Sequence, residues 1–263
     1  MSATTDIDFG RLAVGYGLLV FPLALMLWLR VAMIRDTLIA VLRMTVQLLF
    51  VGFYLQVVFR LNSVWLNAAW LLIMIAVADG SVIRGCGLRP RRFIMPLFAA
   101  LLIGAAAPLA VLLGPVLRRP GLLDAQYAIP LGGMILGNCL RADIIGVKFF
   151  YQSVRDGERA FLLSLSQGAA LHEALRPYLR DACRSALAPT VATIATIGLV
   201  ALPGMMTGTI LGGASPMVAI KYQILIMLAI FAGTSITLAA ALFLTRRSAF
   251  SDFGMLDKSI FAR

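Results

Sequence analysis

Long apolar runs separated by short charged gaps dominate this chain, and the length of those runs sets the first expectation. A helix that crosses a bilayer needs about 20 mostly apolar residues, because the hydrocarbon is about 30 Å thick and each residue rises about 1.5 Å. Leu12 to Leu29 is the first such run, held between Arg11 and Arg30, and Thr37 to Phe59 is the second, with Arg43, Gln47 and Gln56 inside it. Val64 to Ala78, bounded by Arg60 and Asp79, and Phe93 to Leu117 come next. Tyr127 to Phe150 reads as a fifth span, although Arg141, Asp143 and Lys148 thin its later part. Ser185 to Ile220 carries no charge, which suits one span plus a re-entrant or interfacial turn broken at Pro203 and Pro216. Tyr222 to Thr245 closes the series. The pattern predicts an all-α integral membrane protein with about seven transmembrane helices.

Orientation follows from where lysine and arginine collect, since these are retained on the cytoplasmic side. With seven spans, one side holds Arg30, Arg35, Arg84, Arg89, Arg91, Arg92, Lys148, Arg155 and Arg159. It also takes Arg176, Arg180, Arg184, Arg246, Arg247, Lys258 and Arg263. The other side has Arg11, Arg60, Arg118, Arg119 and Lys221. The N-terminus is therefore expected outside and the C-terminus in the cytoplasm, in a cell inner (cytoplasmic) membrane.

Composition agrees with this reading. Hydrophobic residues make up 61% of the chain and charged ones 13%, a balance too apolar for a soluble fold. The formal net charge of +11 would suggest nucleic acid in a soluble protein. Here the cations sit in short loops and a juxtamembrane tail, where they set topology and meet anionic headgroups, so membrane lipid is the expected partner and nucleic acid is not. Cys86, Cys139 and Cys183 form no disulfide framework. The first apolar run lacks a basic leader and a small-residue cleavage site, and is read as a span rather than a signal peptide.

The longest hydrophilic segment, Tyr151 to Arg184, is expected to be a cytoplasmic amphipathic helical loop. Val154, Phe161, Leu162 and Leu165 share one helical side, Gly168 offers a stop, and Leu171, Leu175, Leu179 and Ala182 form a second stripe. Pro177 marks a kink. The segment is either an amphipathic pair on the membrane surface or a projection, Phe161 to Gly168, that docks on a cytoplasmic ATPase. Permease subunits of ATP-binding-cassette importers carry such a loop with a Glu six residues before a Gly; Leu162 holds that position here.

The run IGLVALPGMMTGTILGGASPMVAIKYQILIM, from Ile197 to Met227, resembles the FetB-type (YbbM-like) permease family. These are iron-export permeases of bacterial ATP-binding-cassette systems, with plant relatives linked to aluminium tolerance. Leu202 to Gly208 is the most specific piece, and GGMILGNCLRAD upstream is similar to the family's GMIIGN segment at Gly133, Met134, Ile135, Gly137 and Asn138. Arg141 and Asp143 depart from the small or amide residues expected there. The resemblance implies a single permease domain over residues 1–263, which pairs with itself and with two copies of a cytoplasmic ATPase and exports iron. No GxxxxGK[ST] run is present, so ATP and Mg are expected on the partner subunit and this chain is not expected to be an enzyme.

Ionisable and backbone-breaking residues inside spans are the candidates for a transport path or gate. Arg43 and Gln47 are four apart and share a face, with Tyr54 near it; they either satisfy a neighbouring helix, line a path, or snorkel to the inner surface. Asn138, Arg141 and Asp143 follow on the fifth span, with Arg141 and Asp143 on different sides of a regular helix, and they either anchor at the inner surface or gate. Pro203, Gly204, Met205, Met206 and Thr207 form a break whose backbone groups need protein or a cavity to satisfy them, and which is expected to move or line the path. The methionine sulfurs are soft donors but more often filler. His172 is the only histidine and no ligand spacing is found, so the metal remains unassigned by the residues themselves. A stand-alone secondary transporter, or a permease for a non-metal solute, is the alternative.

Overall fold

The computed structural model describes residues 8–118, 123–251 and 254–261. Arg119 and Arg263, both used above for orientation, lie outside the described residues. The first span is interrupted: α1 (Phe9–Gly15) passes through a 3-10 turn into α2 (Val20–Trp28). It is followed by α3 (Ile34–Leu61), α4 (Val64–Cys86), α5 (Pro90–Val111) and α6 (Ala125–Asp156). Two shorter pieces, α7 (Glu158–Ser166) and α9 (Gly204–Leu211), flank α8 (Leu171–Thr196), and α10 (Pro216–Ala249) ends the bundle. Among the described residues six helical segments are long and apolar enough to cross a membrane: Phe9–Trp28, Ile34–Leu61, Val64–Cys86, Pro90–Val116, Ala125–Asp156 and Pro216–Ala249.

The helix limits have local causes. Pro90 and Pro216 occupy first-turn positions where a missing N–H costs nothing. The Asp124 carboxylate accepts from Gln126 N–H at 3.2 Å at the start of α6, and the Ser215 hydroxyl accepts from Val218 N–H at 3.4 Å at the start of α10. Gly168, with φ +91°, stops the chain after α7 in the left-handed region, as its position predicts.

The core is built by α4, α5, α6, α8 and α10; α3 stands against its side and α2 touches α3. α5 and α10 come closest at Gly104, where an added methyl would sit 2.9 Å from Thr237 Cα. α3 meets the core through Tyr54, whose ring stacks on Trp70 of α4 at 4.0 Å, and through buried Val58.

Two sequence expectations change. The uncharged stretch 185–220 is not a self-contained unit: the helix that enters it, α8, already starts at Leu171, and the remainder divides among an irregular connection, α9 and the first turn of α10. The final helix thus begins at Pro216 rather than Tyr222. The hydrophilic segment 151–184 is not a free loop either. α6 continues to Asp156, and α8 starts at Leu171 and packs on α6 and α10, leaving 157–170 as the true excursion. α8 runs on past Pro177, which has no N–H to donate, so the proline does not end the helix.

One end of the bundle is tied together by the C-terminal tail. Arg89 N–H donates to the Ile260 carbonyl at 2.8 Å, Lys258 pairs with Glu158 at 2.8 Å, and Arg92 pairs with Asp257. The α4–α5 corner, the start of α7 and the tail therefore share one end. Since α10 returns the chain to that end, α8 has to carry it away.

A polar cavity between three helices

Asn138 and Arg141, three residues apart on α6, open onto a cavity of about 480 Å³ that α8 and α10 complete. α8 contributes Thr190, Thr193 and Thr196, α10 contributes Gln223, and Pro203 of the irregular connection lies at the margin. Toward the tail end the three helices close on one another. A methyl at Gly146 would lie 3.0 Å from Ala186 Cβ and collide with Leu238, so only glycine lets α6 approach both neighbours here. The cavity sits on the other side of this contact, toward the 197–215 connection.

Three of the polar side chains around it donate to carbonyls of their own helices, Asn138 with one of its two amide hydrogens. Asn138 Nδ2 donates to Met134 O at 2.8 Å, Thr193 Oγ1 to Pro189 O at 2.9 Å and Thr196 Oγ1 to Ala192 O at 3.0 Å. Gln223 is 7% exposed and its Oε1 has no hydrogen-bond partner among the described residues. The threonines were not singled out from sequence, although their i, i+3, i+6 spacing after Pro189 is a polar stripe in an apolar run and could have been read. Gln223 stood in the Tyr-Gln pair of the family-like stretch without a role.

Asp143 does not join Arg141. It is 0% exposed, its Oδ2 accepts from the Thr237 hydroxyl at 2.9 Å, and its Oδ1 is unpartnered among the described residues. This matches the expectation that the two face different ways on a regular helix. Neither residue lies at a bend, because α6 runs unbroken through both. A second buried carboxylate, Asp79, sits inside α4, where the sequence pattern had placed it just past a span end.

The other expected path residues lie elsewhere. Arg43 and Gln47 share an exposed groove on α3 with Asp36 and Met44, Gln47 also reaches a separate, mostly apolar cavity lined by Gly133, Gly137 and Leu140 of α6, and Tyr54 is turned to Trp70 instead. Pro203 is the residue before α9, in extended conformation at φ −64° and ψ 144°, and Gly204 opens that helix. The Leu202 to Gly208 segment is therefore a connection followed by a short helix, not a fracture within one span. Met205 is half-buried on the core's edge and Met206 is half-buried too, while Thr207 donates back to Pro203 O at 3.2 Å.

The expected ATPase-docking face needs one correction. Phe161 is 1% exposed, edge-on to Tyr178 at 6.2 Å and near Phe250 at 6.0 Å, so its ring is consumed inside the bundle. Leu165 is half-buried beside Gly254. The apolar side chains that α7 shows to solvent are Leu162 and, at 58% exposure, Leu163, ahead of the Gly168 turn. No group of three or more His, Cys, Asp and Glu side chains is placed to hold a metal among the described residues.

Residues 9–250 match the family model described as "Uncharacterised protein family (UPF0014)". The chain belongs to the UPF0014 family. Among its UPF0014 relatives, the membrane protein slr1647 of Synechocystis is 34% identical over 229 residues, covering 86% of this chain and 87% of that protein. YjkA of Bacillus subtilis is 33% identical over 220 residues, 82% of this chain and 85% of its own. The "Probable iron export permease protein FetB" of Escherichia coli is also 33% identical over 220 residues, 83% of each. No solved structure matches the chain. The family-like motifs thus identified the family correctly, and the chain is a multi-pass membrane protein of UPF0014.

Proposed function

We propose that this UPF0014 protein is the membrane-spanning subunit of an ATP-binding-cassette transporter that exports iron from the cytoplasm, with a separate ATPase supplying the energy. The observation that carries the proposal is the open polar groove at Arg141, Asn138 and Gln223 between α6, α8 and α10 of a chain similar to FetB. Seven crossings, with α8 as the sixth, and a cytoplasmic C-terminus fit the tail's ties to the Arg89 corner and to Glu158. The permease is a homodimer in the cell inner membrane. Arg43 and Gln47, bare of protein cover on α3, gain a protein partner there at a depth where lipid is a poor solvent for them. The ATPase docks on Leu162 and Leu163 of α7, and ATP and Mg bind on that subunit.

The test is purification of the tagged chain from its own membranes. A stoichiometric ATPase polypeptide and iron overload in cells lacking the chain are expected. A chain that purifies alone and moves solute down an ion gradient would overturn the reading. Asp79 and Asp143, two carboxylates buried inside spans, favour that second possibility, a secondary transporter, since such groups serve ion coupling there.

A further inference from the structure

We propose that the C-terminal tail, residues 254–261, is a strap that carries movement of α7 to the α4–α5 corner, and so couples the ATPase-facing helix to the spans. The inference rests on the permease reading above and names the element that transmits its power stroke.

The tail is folded onto the bundle rather than trailing from it. It turns back on the end of α10, where Ser251 N–H donates to Met255 O at 2.9 Å and Asp257 N–H to Ala249 O at 2.9 Å. From there it reaches the α4–α5 corner. Phe261 bridges Leu88 in antiparallel fashion, Arg89 N–H donates to the Ile260 carbonyl at 2.8 Å, and Asp257 pairs with Arg92. Ile260 is 0% exposed, so the tail contributes a side chain to the core itself. The Arg155 guanidinium, near the end of α6, lies 4.7 Å from the Phe261 ring centre and covers the end of the strap.

The same short segment holds α7 at both ends. Lys258 pairs with Glu158, the first residue of α7, at 2.8 Å. Gly254, in the left-handed region at φ +75°, brings the chain against Leu165 near the other end, where an added methyl would sit 3.3 Å from Leu165 Cδ1. The other ties of α7 run to α8 and to the end of α10, through Phe161 against Tyr178 and Phe250, and through the Tyr178 hydroxyl, which donates to the Gly157 carbonyl at 3.3 Å. Among the described residues no hydrogen bond, ion pair or ring contact joins α7 to α4 or α5 directly. The tail is therefore the short physical route between them. Its contacts divide the work: the Lys258–Glu158 pair is exposed and adds little strength, so it sets register, while buried Ile260 keeps the strap attached.

The test uses the full chain in lipid nanodiscs, alone and with the ATPase that co-purifies with it. Ile260→Asp and, separately, truncation before Gly254 should detach the tail and raise amide exchange in residues 158–166 at least about tenfold, with exchange around Gly146 unchanged. In the complex both variants should keep the ATPase bound and hydrolysing ATP, yet lose iron tolerance in cells. Lys258→Glu should speed exchange in α7 about threefold, and combining it with Glu158→Lys should restore the wild-type rate, which a general loss of folding would not do. Unchanged exchange in α7, release of the ATPase by both variants, or wild-type iron tolerance with the tail detached would each overturn the strap. If exchange rises throughout the bundle, the charge-swapped pair decides, and its failure to restore α7 overturns the inference as well. A chain that purifies without an ATPase refutes the permease reading, whereas a bound ATPase that drives export independently of the tail refutes this inference alone.

Discussion

The Thr237 hydroxyl on α10 donates to the Asp143 carboxylate on α6 at 2.9 Å, at the level where Gly104 of α5 lies against Thr237. Three helices are thereby locked at one depth. Thr237→Val keeps the shape and removes the donor, leaving a buried carboxyl without its partner, and should cost about 1–3 kcal/mol. Gly104→Ala forces α5 and α10 apart and should cost about as much through overpacking. Thermal unfolding of the purified variants checks both, and wild-type midpoints would show that the lock contributes nothing.

Coupling to an ATPase is expected to depend on the side chains that α7 exposes. Leu162→Asp with Leu163→Asp should release the ATPase while the permease remains folded, because a charge would enter an apolar groove. Phe161→Asp should instead unfold the tail end of the bundle, as its ring is buried against Tyr178 and Phe250. Co-purification and thermal stability measured side by side distinguish the two.

The tail carries a pH dependence. Hydrogen bonds from the Ser259 side chain and from Arg92, with the Ser259 N–H, pull Asp257 down from 3.8 to about 2. A depressed carboxylate stabilises the docked tail fully above its unfolded value and loses that contribution as pH falls through the folded one. Tail protection from protease should therefore decline between about pH 4 and pH 2. Asp257→Asn should be less protected at neutral pH and show no such decline.

The connection into α9 separates a hinge from a ligand. An added methyl at Gly204 meets nothing within 4 Å, so Gly204→Ala fits and should stiffen the start of α9 by up to about 1 kcal/mol. If this segment moves during transport, Pro203→Ala with Gly204→Ala should leave folding intact and raise iron sensitivity in cells. Met205→Leu with Met206→Leu removes both sulfurs at similar volume and should leave tolerance normal. Loss of tolerance only in the leucine pair would instead assign the sulfurs a ligand role.

Topology can be checked directly. A reporter after Arg247 should be active only in the cytoplasm, and one before Arg11 only outside. Matching sides at both termini would mean that α8 does not cross the membrane.

The linear pattern determined that this is a helical membrane protein, roughly where its apolar helices run, and which family it belongs to. Burying apolar surface in lipid is a property of each segment taken by itself, so run length and loop charge are enough to read it. Asn138 and Arg141 were legible as site candidates for a similar reason: a polar group within a span is costly wherever it ends up. Helix packing decided what those residues meet. Sequence alone could not say that Thr193, Thr196 and Gln223 complete the cavity, that Asp143 turns to Thr237, or that Phe161 is consumed inside the bundle. Those outcomes depend on which faces of α6, α8 and α10 come together, and close contacts at Gly146 and Gly233 between residues far apart in the chain set those faces.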